Sequence, residues 1–186
     1  MKNRWVYDKL YSQGATSLTD ITTKIEGLNC SAGHALQQGL ILGKTLASGS
    51  SIQEKALLDE GLRMLILHEV GHTLGLNHNM KASILWDEKD VHKKSLTKGI
   101  LTGSVMDYTP ANIAPIGITQ GDYFQVKSGP YDLWAIEYGY STALTDKIAE
   151  QQRLNKILSH SADKGLAFGN DADDMRPQVF ILILEL

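Results

Sequence analysis

Apolar positions along this chain gather in blocks with helical spacing, separated by stretches that have none. From about Ser31 to Ala47, the residues Leu36, Leu40, Ile41 and Leu46 recur roughly once per helical turn, and the segment ASGSS then breaks the pattern. That spacing predicts one amphipathic helix. Ser51 followed by Glu54 has the form of a capping box, in which hydroxyl and carboxylate satisfy the free backbone N–H groups of a helix start. Apolar residues continue through Leu57, Leu58, Leu62 and Leu65, predicting a long second helix, and Gly75 is placed to end it because a residue without Cβ adopts the left-handed conformation at no steric cost. Residues 81–128 are rich in turn formers and read as loop, and a loop of that length usually serves a site. Pro130 suits a first helical turn, so YDLWAIEY, closed by Gly139, predicts a short aromatic helix. A further helix is expected from Asp146 to His160, with Ile148, Ala149, Leu154, Ile157 and Leu158 mostly along one stripe. The closing VFILILEL reads as a buried strand or a truncated end.

These elements predict an α+β class that is predominantly helical. No internal repeat or low-complexity linker divides the chain, so residues 1–186 read as one unit or a fragment of one. Residues 1–79 hold a backing helix and the helix of the motif described below, and residues 80–186 hold the loop and a C-terminal helical part.

Composition narrows the partners. The chain carries 18 basic and 21 acidic residues, a net charge of -3. No Lys/Arg cluster offers a nucleic-acid groove or a patch for anionic lipid. A single cysteine, Cys30, excludes an intrachain disulfide and a multi-cysteine metal site, and reads as a small buried residue. The start, MKNRWVYDKL, has charge but no apolar run behind it, so it does not read as a signal peptide, and no segment reaches the length of a membrane span.

The segment HEVGHTLGLNH, residues 68 to 78, changes the picture. On a helix, residues four apart share a face, so His68 and His72 can aim ring nitrogens at one ion. Once Gly75 redirects the backbone, His78 can return as a third ligand. Three histidines leave the fourth tetrahedral position of a zinc ion open, as catalytic rather than structural zinc requires. Glu69, beside the first ligand, is placed to act as a general base on water. A histidine pair on a partly apolar helix is often no more than packed or solvated. The extended motif, with Gly75 and His78 at fixed offsets and SVMDY downstream, is far more demanding.

Together, HEVGHTLGLNH and SVMDY resemble the metzincin signature of HExxHxxGxxH followed by a methionine turn. The resemblance implies a zincin-like catalytic domain holding one Zn2+ on His68, His72 and His78. It assigns Met106 the role of a hydrophobic floor beneath the imidazoles, and Tyr108 that of a metal ligand or oxyanion stabiliser. The blocks HEVGHTLGLNHNMKAS, GSVMDYTPANIAP, QGDYF, GPYDLWAIEYGY and FGNDADDMR look like those of large bacterial, Bacteroidetes-type zinc metalloproteases, over roughly Leu57 to Arg176. This narrower likeness implies a catalytic segment of a longer protein with upstream domains, secreted, periplasmic or on the cell surface. A peptide or protein is the implied substrate.

In such a domain an edge strand binds substrate. Only ASGSS separates the two helices here, so that strand is to be sought in residues 1 to 28, in an upstream domain, or in a different architecture. The expected activity is that of an endopeptidase; an exopeptidase, or a zinc-binding module or fragment without catalysis, are the alternatives. His34, His92 and His160 lack ligand spacing and read as ordinary histidines. Asp171, Asp173 and Asp174 could gather Ca2+ through oxygen ligands, but without EF-hand spacing a solvated acidic turn is preferred. Asp132, Trp134 and Tyr138 read as packing residues rather than substrate contacts.

Overall fold

The computed structural model describes residue 33, residues 36–41, residues 51–170 and residue 173. The side chains at 51–53, and with them the capping box expected at Ser51, are not described, and Cys30, His34, Asp171, Asp174, the segment 1 to 28 and the tail 177–186 lie outside the described residues, as does most of the first expected helix.

The long helix α1 runs over Ser51–Thr73. Its buried positions are Leu57, Gly61, Met64, His68 and Gly71, alternating steps of four and three residues. That alternation is the stripe that a 3.6-residue period turns to one side. At its upper end the stripe forms a core with Leu36, Ala111, Tyr123 and Phe124, joined by the partly buried Leu40, Ala56, Leu65 and Ile113. Residues 36–41 are helical, as expected, and Leu36 is buried, whereas Ile41 is exposed. Leu58, Leu62, Ile66 and Val70 line the outer side of α1 and are exposed, so this helix is apolar on two faces.

Gly75 ends α1 as expected. It has φ 84°, its N–H donates to His72 O at 2.9 Å, and Leu76 N donates to Gly71 O at 3.0 Å. This pair of bonds is a Schellman closure, which satisfies carbonyls left over at the helix end.

Between α1 and the aromatic helix, the chain forms a 3-10 turn at Ala82–Leu85 and a one-turn helix α2 at Lys94–Thr97. The segment 101–107 is wholly buried though it belongs to no regular element. Its backbone must therefore find partners elsewhere. Gln125 Oε1 accepts from Leu101 N and Thr102 N, Gly103 N donates to Ala82 O, and Trp86 Nε1 donates to Ile100 O.

Helix α3 spans Pro130–Tyr140, with proline in its first turn. Gly139 lies inside it and does not close it: the helix ends at Ser141, whose backbone is extended at ψ 147°. Helix α4 spans Lys147–Leu158, slightly shorter than expected, and Asp146 caps it by accepting from Ala149 N at 2.8 Å. Of its expected apolar stripe only Ile157 is fully buried; Ile148 and Leu158 are exposed because α4 touches α3 along a narrow seam. In that seam Trp134 Nε1 donates to Ile157 O at 2.7 Å. Tyr131 stacks on Phe168 beyond the 3-10 turn Lys164–Leu166, and Tyr140 Oη donates to Leu74 O, tying the end of α3 to the end of α1. Among the described residues there is no strand, and no helix is long and apolar enough to cross a membrane.

Candidate metal centre

His68 and His72 stand one turn apart on the inner side of α1. His68 is fully buried, and its Nδ1 lies 2.8 Å from Val105 O. His72 Nδ1 lies 3.1 Å from Leu76 O, a carbonyl turned back by the Schellman closure. A carbonyl can only accept, so in both rings Nδ1 carries the proton and Nε2 keeps its lone pair. The same closure brings His78 round, placing its Nε2 3.1 Å from that of His72. The ligating atoms of all three histidines lie within 4.8 Å of one another, a group able to hold a metal ion. Zinc bound tetrahedrally at about 2.0–2.1 Å holds its nitrogens roughly 3.3 Å apart; the His72–His78 pair stands close to that spacing, and three neutral imidazoles are a donor set that suits the ion once the wider pair closes on it. Burial pushes the His68 pKa below its ordinary value, against the pull of its bond to Val105, and His72 and His78 lower it further. The ring is thereby kept in the neutral form that a metal needs.

Glu69 follows on α1 and is exposed to solvent. Tyr108 is half-buried, its ring 5.4 Å from that of His68 and nearly parallel to it, and its hydroxyl is 2.7 Å from His78 Nε2. The structure thus gathers His68, His72, His78 and Tyr108 around one point.

Met106 lies beneath them with 0% of its surface exposed. It reaches that place because Gly71, between the two helical histidines, has no side chain: a Cβ there would meet Met106 Sδ at 2.3 Å. Met106 is held from behind. Its N–H donates to Ser104 Oγ at 3.0 Å, and Ser104 Oγ donates to Asp132 Oδ1 at 2.6 Å. Asp132 Oδ2 accepts from Val105 N at 2.9 Å and from Gly129 N at 2.7 Å. Burial pushes the Asp132 carboxyl up, and these three hydrogen bonds oppose that shift. Gly129 permits the close approach, since a Cβ there would strike Gly103 O at 2.1 Å.

Asn79, fully buried, secures the other flank. Its N–H donates to Met106 O at 3.0 Å, Nδ2 to Ala167 O at 2.9 Å, and Oδ1 accepts from Gly169 N at 3.1 Å. The backbone that follows His78 is thereby tied to the methionine turn.

Gly71, Asn79, Ser104 and the polar role of Asp132 escaped the sequence reading. Asp132 is indeed a packing residue, although it packs through hydrogen bonds; Pro130, at the start of the same helix, marks where that helix begins but gives no sign of what its first turn touches. Trp134 is part-buried and Tyr138 is exposed. His92 is half-buried, with Nδ1 3.4 Å from Asn112 Nδ2, and His160 is exposed beside Asp163. The calcium alternative gains no support: Asp173 Oδ2 accepts from Asn170 N, the bond of the preferred acidic turn, and among the described residues the three histidines are the only group able to hold a metal ion.

Compared with known families, the chain matches the family described as Met-zincin over residues 50–180. It belongs to that family, a class of zinc-metallopeptidase-like domains, and the helical architecture and histidine cluster agree with that membership. No curated protein and no solved structure matches it.

Proposed function

We propose that this domain is a zinc-dependent endopeptidase, with His68, His72 and His78 as the metal ligands. The observation that carries this reading is the convergence of the three imidazoles over a buried methionine, with two of the rings fixed in the ligating tautomer by backbone carbonyls. When bound, zinc supplies Lewis acidity, polarising a peptide carbonyl and making water easier to deprotonate. Glu69, beside the first ligand and open to solvent, takes the proton from the attacking water and passes it to the leaving amine. Tyr108, with its hydroxyl at the edge of the histidine cluster, donates a hydrogen bond to the oxygen on which negative charge develops.

The test is cleavage of a mixed peptide library by the zinc-loaded chain, mapped by mass spectrometry, beside Glu69→Gln. Internal cuts by the parent are expected. The variant should bind zinc as the parent does and lose roughly 10²–10⁴-fold in turnover, the usual worth of a positioned base. Cuts confined to chain ends would make the enzyme an exopeptidase. A folded, zinc-loaded parent that cuts nothing would make the domain a metal-binding module.

A further inference from the structure

We propose that Asp132 is a positioning residue for the metal centre: its carboxylate fixes the Val105 peptide, and through it the ring of His68, from the first turn of a different helix. The proposal rests on reading the three histidines as metal ligands.

The connection is continuous. Asp132 is 4% exposed and accepts three hydrogen bonds, from Ser104 Oγ, Val105 N and Gly129 N. Val105 is then gripped at both ends of the residue: its N–H by Asp132, and its carbonyl by His68 Nδ1. The next N–H, that of Met106, ends on Ser104 Oγ, which itself depends on Asp132. One carboxylate therefore sets both the acceptor that orients the first ligand and the backbone that carries the methionine floor. Segment 104–106 has no ladder of its own, so its register on that side depends on Asp132. On the side away from α1, helix α3 reaches this stretch through this carboxylate and, next to it, the bond from Tyr131 N to Gly103 O.

Partners that orient a ligating histidine commonly change metal affinity by 10–100-fold when removed. In Asp132→Asn the new side-chain amide keeps the backbone bonds: its oxygen accepts from Val105 N and Gly129 N, while its NH2 donates to Ser104 Oγ, a reversed bond that costs the Ser104 hydrogen its acceptor. Alanine keeps none of these bonds. The expected order is therefore parent and Asp132→Asn alike within a few-fold, and Asp132→Ala weaker by roughly 10–100-fold.

Two measurements on the full chain test this. Zinc affinity is measured by competition with a chromophoric chelator for the parent, Asp132→Asn, Asp132→Ala and Ser104→Ala, each first shown to be folded by circular dichroism. Independently of metal, proton NMR of the apo chain follows the His68 Nδ1–H, which should be downfield and slow to exchange while it is bonded to Val105 O. That signal should persist in Asp132→Asn and vanish in Asp132→Ala. Should Asp132→Ala not fold, Ser104→Ala, which removes one of the three bonds and frees Met106 N, should still weaken zinc binding and speed exchange of that proton. An unchanged His68 Nδ1–H in the folded alanine variants would overturn the proposal, whether or not zinc binds. A parent that binds no zinc while the NMR effects appear would refute the metal reading and leave the positioning of His68 standing.

Discussion

Gly71 shows how much one missing carbon decides. Within a helix, alanine is preferred to glycine by up to about 1 kcal/mol. Here, however, the added Cβ would fall 2.3 Å from the sulfur of a fully buried methionine, whose side chain would have to shift within the packed interior. Overpacking of that kind costs about 1–3 kcal/mol, so the clash outweighs the propensity. Gly71→Ala is therefore expected to lower stability in chemical denaturation, and Gly71→Ala combined with Met106→Ala to cost less than the sum of the two separate losses. Strict additivity of the two changes would show that the contact is not the cause. Residue type at a fixed spacing made His68, His72 and Glu69 legible, and the family resemblance, not spacing, pointed to Met106. Gly71 was not legible, since its meaning comes from an atom 35 positions away in the sequence.

At the level of elements, α1 does two tasks with one termination. The bonds that close it at Gly75 also present Leu76 O to His72 and bring His78 back toward the helical pair. This was foreseeable, because helical period and a glycine stop are local properties. The end of α3 was not: Gly139 resembles a stop in sequence, yet the chain continues to Tyr140, whose hydroxyl finds Leu74 O. Helix α4 is held at its start by a local ion pair. Arg153 hydrogen bonds lower the Glu150 pKa from an ordinary 4.5 to about 2, helped by Leu144 N. A carboxylate whose folded pKa is depressed stabilises the fold fully above its unfolded pKa and loses that contribution as the pH falls through the folded value. Between about pH 5 and pH 2, the melting temperature of the parent should thus fall faster than that of Glu150→Gln, with the difference fading near the folded pKa of about 2. Parallel curves would show that this exposed pair adds nothing, as many surface pairs do.

For the molecule as a whole, the metal centre joins α1, the turn after it, the buried segment 101–107 and α3, so a bound ion would link parts that are distant in sequence. A ligand bound only by the folded state, at about 100 times its dissociation constant, adds about 2.7 kcal/mol. For a domain of this size that raises the melting temperature by roughly 5–10 °C. Zinc should produce such a rise, a chelator should reverse it, and His78→Ala should abolish it; an unchanged melting curve in saturating zinc would count against the site. The sequence by itself determined the helical character, the helix that carries the histidine pair and its glycine stop, and the donor set, because each follows from periodicity or from chemistry within a dozen residues. Only the tertiary structure decided that an irregular loop would be buried, that Gly71 would admit Met106, and that Asp132 and Asn79 would brace the two sides of the cluster. Those outcomes depend on satisfying buried backbone groups with partners far along the chain, and no local pattern records which partner will be near.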